Sequence, residues 1–225
     1  MTGHTNRKTL HSSGQLSAAA ELDGSLPIVK YVSNASRKYA DLLSIAADLR
    51  STDEICQRLV KCLEDPTADS VLIDALSTAS LVRYARCFAT GKRAILDPQR
   101  ISHLPGDPIL VHKYYKDLRD KLAAHSVNPF EETLVGLALS DPLTEPRLVL
   151  GTATLSGRHI AHDKHGVEQL GRLAREFLKS LTTEIEQCQA EVLAEAQSHP
   201  IDDLYKLDPL QFTTPSPQQA GKGRR

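Results

Sequence analysis

The sequence predicts a mainly all-α protein, a bundle of four or five helices with one β-hairpin inserted at about 132–156. Three observations lead there. Apolar residues recur three and four apart through most of the chain, the period of helices that bury one face. One stretch, Glu132 to Ser156, switches to a period of two around a central turn. Two strands are too few to organise a core, so the helices must supply it.

Taken in order, residues 1–26 are polar, rich in Ala and Ser and without a sustained period, and are expected to be disordered. The folded domain is expected over 27–200. From Pro27 to Leu49, Val32, Ala35, Tyr39, Leu42, Ile45 and Ala46 recur at helical spacing and predict a first helix. Ser51 or Thr52 then offers an N-cap, with Asp53 and Glu54 in the turn where acidic groups favour the helix dipole. A second helix is therefore expected to about Leu63, stopping before Pro66.

Residues 68–89 are apolar around nearly the whole circumference, which predicts a central, buried helix closed by Gly91. Arg83 and Arg86 stand out in it, three residues apart, and Arg93 follows just beyond its end. The proline-rich segment 94–108 reads as a connection with room for a short helical turn.

The next helix is expected from Asp107 or Pro108 to Ala124, with proline in its first turn. Val111, Tyr115, Leu118, Leu122 and His125 are spaced 4, 3, 4 and 3, so they share one face. Thr133, Val135, Leu137 and Leu139 alternate in the first strand, and Leu148, Leu150, Thr152 and Thr154 in the second. Asp141 to Pro146 forms the turn between them. A long amphipathic helix follows from about Lys164 to Gln197, ended by Pro200. Residues 206–225 are expected to be a disordered tail, with a small basic cluster, Gly-Lys-Gly-Arg-Arg, at its end.

Composition narrows the function classes. Formal net charge is −1, so contact with nucleic acid requires a local basic patch. No run of about 18 apolar residues exists, which predicts no membrane span. The N-terminus lacks the apolar core of a signal peptide, which predicts a cytoplasmic location. None of the four cysteines forms a two-residue-spaced pair, so free, buried thiols are expected. There is no glycine-rich phosphate loop and no Gly-x-Ser-x-Gly nucleophile signature. No cofactor is expected.

The chemistry concentrates on the helix that ends near His125. Arg119 precedes His125 by five intervening residues, and Asp120 follows the arginine. Cleaving RNA through its own 2′-hydroxyl needs a base for that proton, an acid for the leaving oxygen, and positive charge at the phosphate. Histidine titrates near neutrality and serves either proton transfer. Arginine offers a fixed fork of donors and stays charged. Arg158 and His165 have a similar spacing, but that pair crosses Gly157 and Gly166, where a strand gives way to a helix. Only Arg119 and His125 share a well-formed amphipathic helix.

In Tyr114-Tyr-Lys-Asp-Leu-Arg-Asp-Lys-Leu-Ala-Ala-His-Ser126, the chain resembles the HEPN superfamily of small helical bundles. Many of its members are metal-independent ribonucleases marked by an Arg, four to six residues, and a His. The close likeness covers about fifteen residues, with looser agreement in layout from about residue 30 to 197. The resemblance implies an endoribonuclease in which Arg119 and His125 are catalytic and Asp120 orients one of them. It also implies a homodimer, RNA as substrate, an antitoxin or other protein partner, and a setting in toxin or phage-defence systems. The same fold without cleavage, binding RNA or protein, is the alternative.

Other readings of these residues stay open at this point. His125 also reads as the end of the apolar stripe, bonding a carbonyl, with Arg119 paired to a neighbouring carboxylate. Arg83 and Arg86 read equally as phosphate contacts or as members of a buried network with Asp74 or Glu64. Arg93 is expected to face solvent, as are Glu184, Glu186, Glu191 and Glu195 on the long helix. His159, His162 and His165, three apart, present a metal reading, although helical metal-binding histidines usually sit four apart.

Overall fold

The computed structural model describes residues 27–91, 93–124, 131–141, 143, 146–158, 163–211 and 216–219. It is a helical bundle with one antiparallel hairpin, as the periodicity predicts. The principal helices are α1 (Asn34–Glu64), α2 (Ser70–Arg86), α3 (Pro108–Ala124) and α4 (Lys164–Gln197), with a single turn α5 at Ile201–Leu204. The hairpin pairs β1 (Glu131–Leu139) with β2 (Val149–Arg158). A 3-10 turn at Pro98–Ile101 occupies the connection between α2 and α3.

The two helices expected over 27–63 are one. Pro27 to Val32 lie outside the helix, and Ser33 caps it, its side chain accepting from Ser36 N–H while Ser36 returns a bond to Ser33 N–H. Thr52 does not cap a second helix. Its hydroxyl donates to the Asp48 carbonyl at 2.9 Å, four residues back, so the side chain bonds into the helix that contains it. Thr52 is fully buried, which leaves no exposed break at which a new helix begins.

α1 packs against α4 on one side and α2 on the other, and α2 carries α3. The core draws Leu42, Ile45, Leu49 and Leu59 from α1 and Leu81 and Tyr84 from α2. Tyr115 and Leu118 come from α3, and Leu170, Phe177 and Leu181 from α4. Gly171 lets α1 and α4 approach closely: a Cβ there would lie 3.2 Å from both Asp53 Oδ1 and Cys56 Cβ. α2 is less enclosed than its composition suggests, since Val71 and Leu72 in its first turn are exposed.

Past α5 the chain turns back. Lys30 N–H donates to Asp208 O and Leu210 N–H to Ile28 O, both at 2.8 Å, closing a bridge between Val29 and Pro209. The stretch 206–211, expected to open a tail, thus lies along the segment that precedes α1. Among the described residues no helix is long and apolar enough to cross a membrane.

Candidate functional site on helix α3

α3 forms because its buried stripe is continuous. His112, Tyr115 and Leu118 turn inward, while Leu110, Lys113, Tyr114, Lys116 and Asp117 face outward. The phenol of Tyr115 donates to Gly166 O at 2.8 Å and lies 2.9 Å from Gln169 Oε1, tying the middle of α3 to the first turns of α4. This tie sets the height of the residues that follow it. One turn on, Arg119 Nη1 donates to Asp120 Oδ1 at 2.6 Å, with side chains 26% and 44% exposed. The guanidinium is thus partly shielded and held by the residue next to it, yet still open to a ligand. His125 lies outside the described residues.

Arg83 and Arg86 sit in the last turn of α2. They meet Asp48 on α1, through Arg83 Nη1 to Oδ1 at 3.4 Å and Arg86 Nε to Oδ2 at 3.7 Å. Arg93, expected in solvent, is the closest partner, with Nη1 donating to Asp48 Oδ2 at 2.9 Å and to Ser44 Oγ at 3.0 Å. Its second terminal nitrogen donates to the Arg86 carbonyl at 2.7 Å. The Asp48 side chain is 7% exposed and that of Arg93 19%, whereas those of Arg83 and Arg86 are 44% and 54% exposed. A buried carboxylate needs several donors to offset its desolvation, and this one recruits three cations. The buried-network reading of Arg83 and Arg86 therefore has the wrong carboxylate in Glu64, which pairs with Lys164 at 2.5 Å. Asp48 escaped notice in the sequence because it sits at the edge of the apolar stripe of α1, one residue before Leu49.

The long helix departs from its expected solvated face at Glu184, which pairs with Lys38 at 3.2 Å and with Arg100. Those two cations hold its carboxyl below the usual range against the opposing effect of burial. A second unexpected residue is His112. It is 5% exposed, its Nδ1 lies 2.9 Å from the Tyr84 hydroxyl, and its ring sits 4.3 Å from Phe88 and 6.0 Å from Phe177. Burial, with Lys116 nearby, pushes its pKa down to about 4. It is a neutral core residue at physiological pH.

Other chemistries find less support here. All four cysteines are free, and burial pushes the thiols of Cys56 and Cys87 up to about 12, far from a reactive thiolate. Of the three histidines in the metal reading, His159 and His162 lie outside the described residues, and His165 is exposed in the first turn of α4. Among the described residues no cluster of three His, Cys, Asp or Glu side chains is placed to hold a metal. A groove of about 450 Å³ between α1 and α4 is lined by Asp53 and Arg175, which pair with each other, and by Glu64, which pairs with Lys164 beyond the lining.

No family model, no curated protein and no solved structure matches this chain.

Proposed function

We propose that this protein is a metal-independent endoribonuclease of the HEPN type. The observation that carries this reading is the Arg119–Asp120 pair at 2.6 Å near the end of α3, on the same helix that leads to His125. Asp120 restrains the guanidinium, whose other donors remain for a phosphate, so less rotamer freedom is lost on binding. In the sequence His125 follows Arg119 with five residues between them, and a long arginine side chain and a histidine can act on one phosphate. His125 takes the 2′-hydroxyl proton or supplies one to the leaving 5′-oxygen. A single copy has one such histidine, and a homodimer supplies two. Arg83 and Arg86, about half exposed above Asp48, add positive charge for flanking phosphates.

The test is cleavage of a mixed-sequence RNA in the presence of chelator. Wild type is expected to cleave, and Arg119→Ala and His125→Ala to lose about 10²–10⁴-fold, the range for acid–base groups. Asp120→Asn should lose less and keep its thermal stability, because the pair is partly exposed. Equal activity in all variants, or complete inhibition by chelator, overturns the assignment. A non-catalytic binding module is the second reading, and the exposed apolar hairpin favours it.

A further inference from the structure

The cluster around Asp48 holds more positive charge than its carboxylate neutralises. Three guanidiniums, those of Arg83, Arg86 and Arg93, face one carboxylate, which leaves two positive charges in excess. The three are not equivalent. Arg93 is enclosed, and both its terminal nitrogens are occupied, by Asp48, Ser44 and the Arg86 carbonyl. Arg83 engages Asp48 through Nη1 alone, at 3.4 Å, and Arg86 Nε lies 3.7 Å from it, beyond hydrogen-bond length. The other donors of these two forks make no bond among the described residues. The end of α2 offsets part of the excess, since both arginines lie in its last turn, where the carbonyls carry about half an elementary charge. A second α1 carboxylate, Asp41, accepts from Ala94 N–H at 2.9 Å. It precedes Asp48 by two helical turns, about 10 Å along the axis, where salt largely screens its charge from the pair.

We infer that Arg83 and Arg86 form a binding site for a phosphate monoester, one that needs neither Arg119 nor His125. Charge and geometry both fit that ligand. Roughly one and a half to two uncompensated positive charges match a monoester, which carries about −1.5 to −2 at neutral pH, better than they match a diester with a single charge. The two arginines are three apart on one helix, so their side chains leave from one face, and both heads reach the same carboxylate on α1. Heads drawn to one anion from below are placed to share a second from above. Both are about half exposed, so a ligand reaches them without disturbing the enclosed Arg93 beneath. The three terminal oxygens of a monoester accept from two forks at once.

This is sharper than a general attraction for flanking phosphates, and it stands without the ribonuclease reading. The fold does not depend on the pair being there, because Arg93 alone supplies the close, enclosed partner of Asp48. A small phosphorylated molecule and the 5′-phosphorylated end of a strand present the same group, and measurement separates the two.

Phosphorus NMR titration of the full chain at fixed ionic strength, above the second ionisation of a monoester, tests the site without any cleavage. Methyl phosphate is expected to bind about fivefold or more tightly than dimethyl phosphate. Arg83→Ala and Arg86→Ala should each weaken methyl phosphate about five- to tenfold with unchanged helical circular dichroism. Arg83→Lys, which keeps the charge and loses the fork, should retain part of the affinity. Arg58→Ala, at an exposed arginine of α1, should change nothing. In Arg119→Ala the preference for the monoester should persist. A hexanucleotide of 2′-O-methyl units, which has no 2′-hydroxyl to react, is then compared with and without a 5′-phosphate. Tighter binding of the phosphorylated strand supports the site as one for strand ends, and equal binding supports it as one for small esters. The proposal is overturned if methyl phosphate shows no saturable binding, or if the diester binds equally well. It is also overturned if binding survives the double variant Arg83→Ala/Arg86→Ala, if Arg58→Ala weakens it as much, or if the preference disappears in Arg119→Ala. The cleavage assay is read separately from all of these.

Discussion

Asp48 and the three arginines around it show how one buried charge sets the value of its neighbours. Asp48→Ala leaves Arg93 largely enclosed without its closest carboxylate and should destabilise the protein by about 3 kcal/mol in urea unfolding. Arg83→Ala, at a half-exposed side chain 3.4 Å away, should cost under about 1 kcal/mol. If the two losses are equal, Asp48 is not the anchor. His112 makes a prediction in pH. Its folded pKa is about 4 against an ordinary 6.5, so the unfolded chain binds the proton more readily between those values. The stability contributed by neutral His112 is therefore complete above pH 6.5 and declines as pH falls toward 4, by on the order of 3 kcal/mol in all. Unfolding measured from pH 6.5 down to 5, above the main range of exposed carboxylates, should show the decline, and His112→Phe should flatten it. Neither residue announces itself in the sequence: an Asp beside an apolar stripe and a His one position from it look like ordinary boundary residues until their burial is known.

At the level of elements, α4 is the support on which the bundle closes. Phe177 is fully buried among Phe88 at 5.0 Å and Tyr84 at 6.2 Å between ring centres. Phe177→Ala should cost about 3–5 kcal/mol through lost burial and the cavity left behind. Leu193→Ala, in the exposed last turns of the same apolar stripe, should stay within about 0.5 kcal/mol. Urea unfolding of the two variants checks the contrast, and comparable losses would mean that the stripe is buried along its whole length. The helical period marked both residues equally, since periodicity identifies a face but not where a neighbour ends. The same limit explains α1. Ser51 and Thr52 have the chemistry of a cap, and only the bond from Thr52 back to Asp48 shows that the helix runs through them.

For the whole molecule, the apolar arm and the helical bundle pose opposite problems. The bundle buries its leucines and aromatic residues internally, whereas the hairpin carries its leucines and valines outward. The candidate site was legible in part. Arg119, Asp120 and their helix are visible as a spacing, and the helix forms where expected. The pairing of Arg83 and Arg86 with Asp48 was not legible, because which neighbour a helical arginine meets depends on how α2 is rotated against α1.

By itself the sequence determined the fold class, the extents of α3 and α4 within a residue or two, and the existence and alternation of the hairpin. These are local matters, decided by period, caps and prolines within a few residues of each position. Tertiary structure alone decided that α1 is continuous, that Asp48 gathers Arg83, Arg86 and Arg93, that His112 is buried and neutral, and that among the described residues the hairpin packs at most marginally on the helices. Each of these depends on groups far apart in the chain, from 35 to 45 residues in the case of Asp48 with Arg83 and Arg93, and a one-dimensional pattern does not carry the rotation and approach of packed helices that bring them together.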